Sequence, residues 1–415
     1  MKAWTAISRG DAIAEVPARL RAARIGVAVT YFILGAAFAS WISRIPAIRD
    51  RLELGPGALG AALLGASVGS LLSMTPAGRF IAREGSQFLV RVAAISLCMV
   101  ILLPALAGSL LDLTLALVLL GTTSGALNVA VNAQAAAVER AYGRPIMASF
   151  HGIFSVGGLV GAAVGGIFAD RGVAPVVHLV TVGAVLAALA WIATRYALPA
   201  SAEVVTVTAG PTTAIGRPTR ALMKLGIIAF CVLLGEGAMA DWSAVYLRDR
   251  AGATPGQAAA GYAAFSLAMA LGRLVGDGLA VRFGPRRLVR GGGLAATLGI
   301  GLALVYPTTW AVLFGFGVVG AGYSVLFPTL LSAAGRGNAG APSAAIASLS
   351  TLGFLGFLIG PPLIGLTATW ITLQGALGWV MLAGIAVVAL APAIDAPAPT
   401  AAEELAAARR TAAAL

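Results

Sequence analysis

The sequence predicts an all-α polytopic membrane protein of twelve transmembrane helices in two pseudo-symmetric six-helix bundles. Three observations carry that prediction. Hydrophobic residues make up 59% of the chain and charged ones only 11%, with a mean hydropathy of +0.93, a balance that no ordinary soluble domain shows. The apolar residues come in blocks of about 20, the length that crosses roughly 30 Å of hydrocarbon. The second half of the chain also repeats features of the first at a fixed offset.

In chain order, the blocks lie near 22–43, 57–78, 87–109, 112–134, 147–169 and 176–198, then near 222–247, 258–278, 287–306, 309–332, 343–366 and 373–394. These give an N-terminal bundle over 22–198 and a C-terminal bundle over 222–394. The polar stretch 199–221 reads as a cytoplasmic linker, and residues 1–21 and 395–415 as cytoplasmic tails. The first block is read as a span and not a removable leader, because mixed polar residues precede it and it is longer than a leader core.

With both termini in the cytosol, the outside loops carry six of the 28 Lys and Arg residues: Arg44, Arg49, Arg51, Arg171, Arg248 and Arg250. The inside segments hold the rest. This positive-inside bias accounts for the net charge of +12 without a nucleic-acid partner, and it predicts a multi-pass protein of the cytoplasmic membrane. Cys98 and Cys231 both fall in apolar blocks and read as buried free thiols.

The repeat has an offset of 199 residues. Arg49-Asp50-Arg51 matches Arg248-Asp249-Arg250, Pro56-Gly57 matches Pro255-Gly256, and Ser67 matches Ser266. Arg83 likewise matches Arg282, and Gly85 matches Gly284. After a two-residue slip, Trp41 aligns with Trp242 and Ser40 with Asp241. Parallel six-span halves of this kind are a common way to build a central cavity that can face either side.

Twelve spans, a duplicated half and basic loops after the second and eighth helices resemble the major facilitator superfamily, over nearly the whole chain. The family signature G-x-x-x-D-R-x-G-R-R stands here as GRFIAREGSQ (78–87), which keeps Gly78, Arg83 and Gly85. Its repeat, DGLAVRFGPRR (277–287), keeps Arg282, Gly284, Arg286 and Arg287. The signature Asp is Ala82 in one copy and Val281 in the other. The resemblance implies a cytoplasmic gate at Arg83 and Arg282, with Arg273 and Asp277, one helical turn apart, as a substitute charge pair. More narrowly, SWISRIPAIRD (40–50), NVAVNAQAAAVER (128–140), MASFHGIFSVGGLVG (147–161), GEGAMADW (235–242) and IGPPLIG (359–365) are similar to the YbjJ-like branch, a distant neighbour of the fucose permease group.

The resemblance implies a secondary active transporter that moves a small organic solute by alternating access, with protons as the expected driver. No Arg stands in the fourth helix and no Gly-Pro in the fifth, landmarks of drug/proton antiporters; multidrug or metabolite efflux remains the second reading within transport. A non-transporting receptor or lipid mover on the same fold is the alternative outside it. No phosphate-binding loop, Cys/His metal spacing or catalytic triad is present, so neither an enzyme nor a cofactor or metal is expected. The expected partners are the solute, protons and the lipid bilayer, with the protein acting as a monomer.

An ionisable side chain in hydrocarbon costs about 3 kcal/mol or more, which makes it a functional candidate by default. Glu236, about 21 Å along the seventh helix, is the first such candidate and the expected proton carrier, unless a neighbouring helix holds it for structural reasons. Asp241 is about 140° further round the helix and needs its own partner. Arg44, at the repeat-related end of the first helix, is the expected one, closing an outer gate, with two water-exposed rim charges as the competing reading. His151 is a candidate proton or solute ligand, because it would face Asn128 and Asn132 if the fourth and fifth helices pack as in the family. Those two amides share a helix face, and they serve either a cavity wall or hydrogen bonds between helices. Tyr31, Tyr262 and Tyr323 are candidates to present rings to a solute, or simply pack. The glycines of the fifth and eleventh helices read as packing and rocking surfaces.

Overall fold

The computed structural model describes residues 18–143, 146–200, 219–336 and 342–395, and among them every regular element is helical. The linker and both tails lie almost wholly outside the described residues. Twelve helices are long and apolar enough to cross a membrane, here numbered as spans 1 to 12. They are Ala18–Arg51, Pro56–Glu84, Gln87–Leu106, Leu110–Tyr142, Ser149–Asp170, Pro175–Tyr196, Arg220–Ala251, Pro255–Gly276, Pro285–Val305, Thr309–Arg336, Ala345–Ala376 and Gly378–Asp395.

Local chemistry explains the helix ends. Proline stands in the first turn of spans 2, 6, 8 and 9, where its missing N–H costs nothing. Gly85 and Gly284, matched by the 199-residue repeat, end spans 2 and 8 with nearly the same backbone, φ 79°, ψ 171° and φ 76°, ψ 158°. Only glycine takes that conformation readily, so the retained signature glycine is a backbone requirement. Thr372, at φ 76°, marks a sharp break near the end of span 11.

Several helices outrun the apolar blocks that predicted them. Span 4 continues through AVERAY to a left-handed Gly143, and span 7 through YLRDRA to a left-handed Gly252. Hydropathy falls before helix propensity does, and a glycine C-cap, not the first charge, ends the helix.

The two halves are built alike. Span 1 packs on spans 5 and 6, span 2 on span 4, and span 3 on spans 4 and 6. The same pairings recur between span 7 and spans 11 and 12, between spans 8 and 10, and between span 9 and spans 10 and 12. The bundles then meet through spans 2 and 11 and through spans 5 and 8, a symmetric pair of contacts. Exposed aromatics at the helix ends, Tyr306, Trp310 and Trp370 on one side and Trp191 and Tyr196 on the other, suit the two membrane interfaces.

Candidate functional site

Span 7 carries Glu236 between two glycines. A Cβ at Gly235 would strike the Tyr323 ring, and one at Gly237 would come 3.0 Å from the Phe357 ring. The G-E-G sequence thus lets aromatic rings of spans 10 and 11 press on the helix on both sides of the carboxylate. Glu236 is partly exposed. Arg273 of span 8 lies within electrostatic reach of both Glu236 and His151. One cation of the C-terminal bundle is therefore felt both by the acid of its own bundle and by the imidazole of the other.

A proline positions Arg273. Pro328 in span 10 has no N–H to offer the carbonyl of Ser324 four residues back, and Arg273 Nε donates to that oxygen at 3.4 Å. Span 8 runs about 27 Å from its start to Arg273, and span 7 about 22 Å from Glu236 to its end on the same side, so the two charges sit at similar depth. Besides the cytoplasmic gating role expected of it, Arg273 thus lies within electrostatic reach of Glu236 and His151. The side chain of Asp277, its expected partner, lies outside the described residues.

On the N-terminal side, the Glu139 carboxylate accepts from the N–H groups of Ile146 and Met147 at 2.7 and 2.6 Å, fixing the start of the helix that carries Phe150 and His151. The ring of Tyr31 stacks on Phe150, with centroids 5.8 Å apart, and meets His151 edge-on at 5.2 Å. The Tyr31 hydroxyl donates to Asn132 Oδ1 at 2.8 Å, and Asn132 Nδ2 donates to the Asn128 carbonyl and to Asn128 Oδ1, both at 2.8 Å. Asn132 thus bonds helix to helix, while Asn128 stays exposed.

The three tyrosines divide. Tyr323 is fully buried within the C-terminal bundle, its hydroxyl unpartnered, so it presents no ring to a cavity. Tyr31 is buried too and acts through its hydroxyl. Tyr262 meets Phe38 of the opposite bundle edge-on at 6.1 Å, within electrostatic reach of Glu236, Asp241 and Arg273. The Phe38–Tyr262 contact bridges the bundles beside these charges.

At the end of the molecule where spans 1 and 7 finish, the bundles are clasped. Arg49 pairs with Asp249 at 2.5 Å, and Arg248 pairs with Asp50 at 2.6 Å. Arg49 also holds Asp50 of its own helix at 2.7 Å, and it is only 14% exposed. Sequence reasoning treated these four residues as repeat markers and topology charges. The available signal was the repeated Arg-Asp itself, a self-complementary dipeptide. Below the clasp, Asp170 Oδ1 accepts from Gly256 N–H at 2.6 Å. Ser67 donates at 3.0 Å to the carbonyl of Phe357, which Pro361 leaves without a helical partner.

The expected Arg44–Asp241 bridge is not formed. Arg44 is buried and turned into its own bundle, where Nε donates to His178 Nδ1 at 2.9 Å. Asp241 remains partly exposed near Tyr262. Neither of the two readings offered for this pair fits the buried Arg44.

Close backbone approach seals the same end. Gly60 of span 2 and Gly365 of span 11 nearly touch, and a Cβ on Gly60 would lie 2.6 Å from the Pro361 carbonyl oxygen. Gly60→Ala is expected to wedge spans 2 and 11 apart. Spin labels on the loops at 107–109 and 306–308 should then report a longer distance than in the parent protein.

At the opposite end no ion pair joins the bundles among the described residues. A Cβ on Gly78 would have nothing within 4 Å, and Arg83 is exposed. Arg282 lies over its neighbour Phe283, with 5.4 Å to the ring centroid. Neither arginine forms an ion pair among the described residues. Gating roles for Arg83 and Arg282 would therefore require partners gained in another arrangement of the bundles. Among the described residues no group of His, Cys, Asp and Glu is placed to hold a metal ion.

Comparison with known proteins places this geometry. The model of the Major Facilitator Superfamily matches residues 27–353 and 225–414. An uncharacterised MFS-type transporter of Yersinia pestis is 35% identical over 373 residues, spanning 89% of this chain and 95% of the relative. The membrane protein MosC of Rhizobium meliloti is 32% identical over 363 residues, 87% of each chain. Among solved structures, that of the nucleoside transporter NupG aligns with a TM-score of 0.74 at 14% identity, covering 90% of this chain and 98% of that one. A bacterial homolog to the human lysosomal transporter Spinster, in an inward-facing and occupied conformation, aligns with a TM-score of 0.68 at 16% identity, covering 93% and 96%. Over almost its full length, then, this multi-pass membrane protein belongs to the major facilitator superfamily.

Proposed function

We propose that the protein is a secondary active transporter that carries a small organic solute across the cytoplasmic membrane by alternating access, coupled to protons through Glu236. One observation carries this reading: two like bundles clasped by ion pairs at one end only among the described residues, with a carboxylate of one and an imidazole of the other both within electrostatic reach of one guanidinium. With both termini in the cytosol the clasped end is the outer gate, and the unclasped end opens inward. Rocking the bundles about the central charges would expose the site to the other side.

Glu236 and Arg273 give the coupling a physical basis. A protonated Glu236 no longer neutralises Arg273, so loading a proton changes the charge that a solute meets. The partly exposed Glu236, Asp241, His151 and Arg273, with Asn128, supply both signs of charge and an amide in an otherwise apolar wall. This suits a small polar or zwitterionic solute. The narrower kinship proposed here is with the YbjJ-like branch near the fucose permease group, resting on the quoted segments.

The test is reconstitution of the full chain in vesicles loaded with a pH-sensitive dye, with sugars, organic acids, amino compounds and cationic dyes added in turn. One class is expected to drive proton movement. Uptake of a solute with no proton movement would overturn the coupling and leave a facilitator. Proton movement driven by export of cationic dyes alone would replace the reading with efflux.

A further inference from the structure

Beneath the clasp lies a cavity of about 200 Å³, lined by Ser43, Arg44, Ala47 and Pro175 of the N-terminal bundle and by Arg248 and Pro255 of the C-terminal one. Arg44 is only 3% exposed. Its Nε is spent on the uncharged ring nitrogen Nδ1 of His178, and its Nη2 is buried with no hydrogen-bond partner. No carboxylate pairs with it among the described residues. The acids nearby are engaged elsewhere, Asp50 by Arg49 and Arg248, and Asp170 by the Gly256 N–H. An arginine keeps its charge in a protein, and a buried cation without a counter-charge is costly.

A second source of positive potential meets the first. The 19-residue helix Pro175–Ala193 begins at the cavity wall, and its N-cap, Ala174, supplies no capping side chain. The positive end of a helix dipole and the free N–H groups of its first turn favour an anion. A cavity of about 200 Å³ has room for a small anion with several waters, since each water takes about 30 Å³.

We infer that this cavity binds a small free anion, such as chloride or phosphate, held by Arg44 and the start of span 6 and bridged to Arg248 of the other bundle. Both bundles line the site, so it is whole only while the clasp is shut, and the bound anion stabilises that closed end by binding one state in preference to the other.

The test uses the purified full chain in a neutral detergent. Its thermal midpoint is followed as sodium chloride or sodium phosphate replaces a bulky organic sulfonate at constant ionic strength. A saturable rise in the midpoint is expected for the wild type. Ala47→Leu, which fills the cavity without touching a charge, and Arg44→Gln should each lose the saturable part. Should Arg44→Gln fail to fold, the wild-type titration and Ala47→Leu still decide. No saturable rise in the wild type, or an equal rise in Ala47→Leu, overturns the assignment. A rise seen only with short-chain phosphatidylglycerol would assign the site to a lipid headgroup and overturn the free anion.

Discussion

Replacing Glu236 with Gln is expected to reduce solute-driven proton flux to the level of protein-free vesicles, while exchange of solute down its own gradient persists. Gln keeps the volume and hydrogen-bonding reach of the carboxyl but has no proton to exchange. Gly235 and Gly237 hold the helix against Tyr323 and Phe357 in either case, so the backbone has no reason to move. Arg273 loses its acidic neighbour but keeps the Ser324 carbonyl. The measurement is dye-reported proton flux beside isotope exchange in the same vesicles. Equal proton flux in mutant and parent would make Glu236 a structural residue.

Breaking the clasp should have the next largest effect. Asp249→Arg removes the carboxylate that Arg49 holds and sets a third guanidinium among those of Arg49 and Arg248. Exposed ion pairs are worth only about 0.2–1 kcal/mol, and the partly buried Arg49 somewhat more, so the ratio of closed to open outer face should fall roughly three- to tenfold. Spin-label distances between the loops at 107–109 and 306–308 would measure it. The second change, Arg49→Asp, should restore the short distance by exchanging the two charges. If the double variant is no more closed than the single one, the pair does not hold the gate.

Much of this molecule was legible in its residues because the bilayer is a severe solvent. Backbone groups in hydrocarbon must bond within their own helix, so twelve apolar blocks have few alternatives to twelve helices. Glu236 stood out for the same reason. What hydropathy cannot show is which distant side chains meet. Arg44 was matched to Asp241 because the repeat aligns their neighbourhoods, yet repeat-related positions lie across an axis from each other and touch only near it. Arg49 and Asp249, at the ends of spans 1 and 7, do lie near that axis, and they pair. Arg44 is set off it and pairs inside its own bundle with His178, 134 residues away. Asn132 shows a smaller limit: its helix face was legible, but the Tyr31 hydroxyl it accepts from lies on another span.

The clasp also has the form of a contact between identical subunits. In an isologous interface, one patch serves as both surfaces, and every bond occurs twice. Arg49 to Asp249 and Arg248 to Asp50 are such a doubled bond, made by the same dipeptide in each half of one chain. A six-helix ancestor carrying that dipeptide would have been complementary to its own copy, able to shut its outer face as a dimer before the halves were fused. Fusion released the two copies from changing together, so each can now be tuned alone.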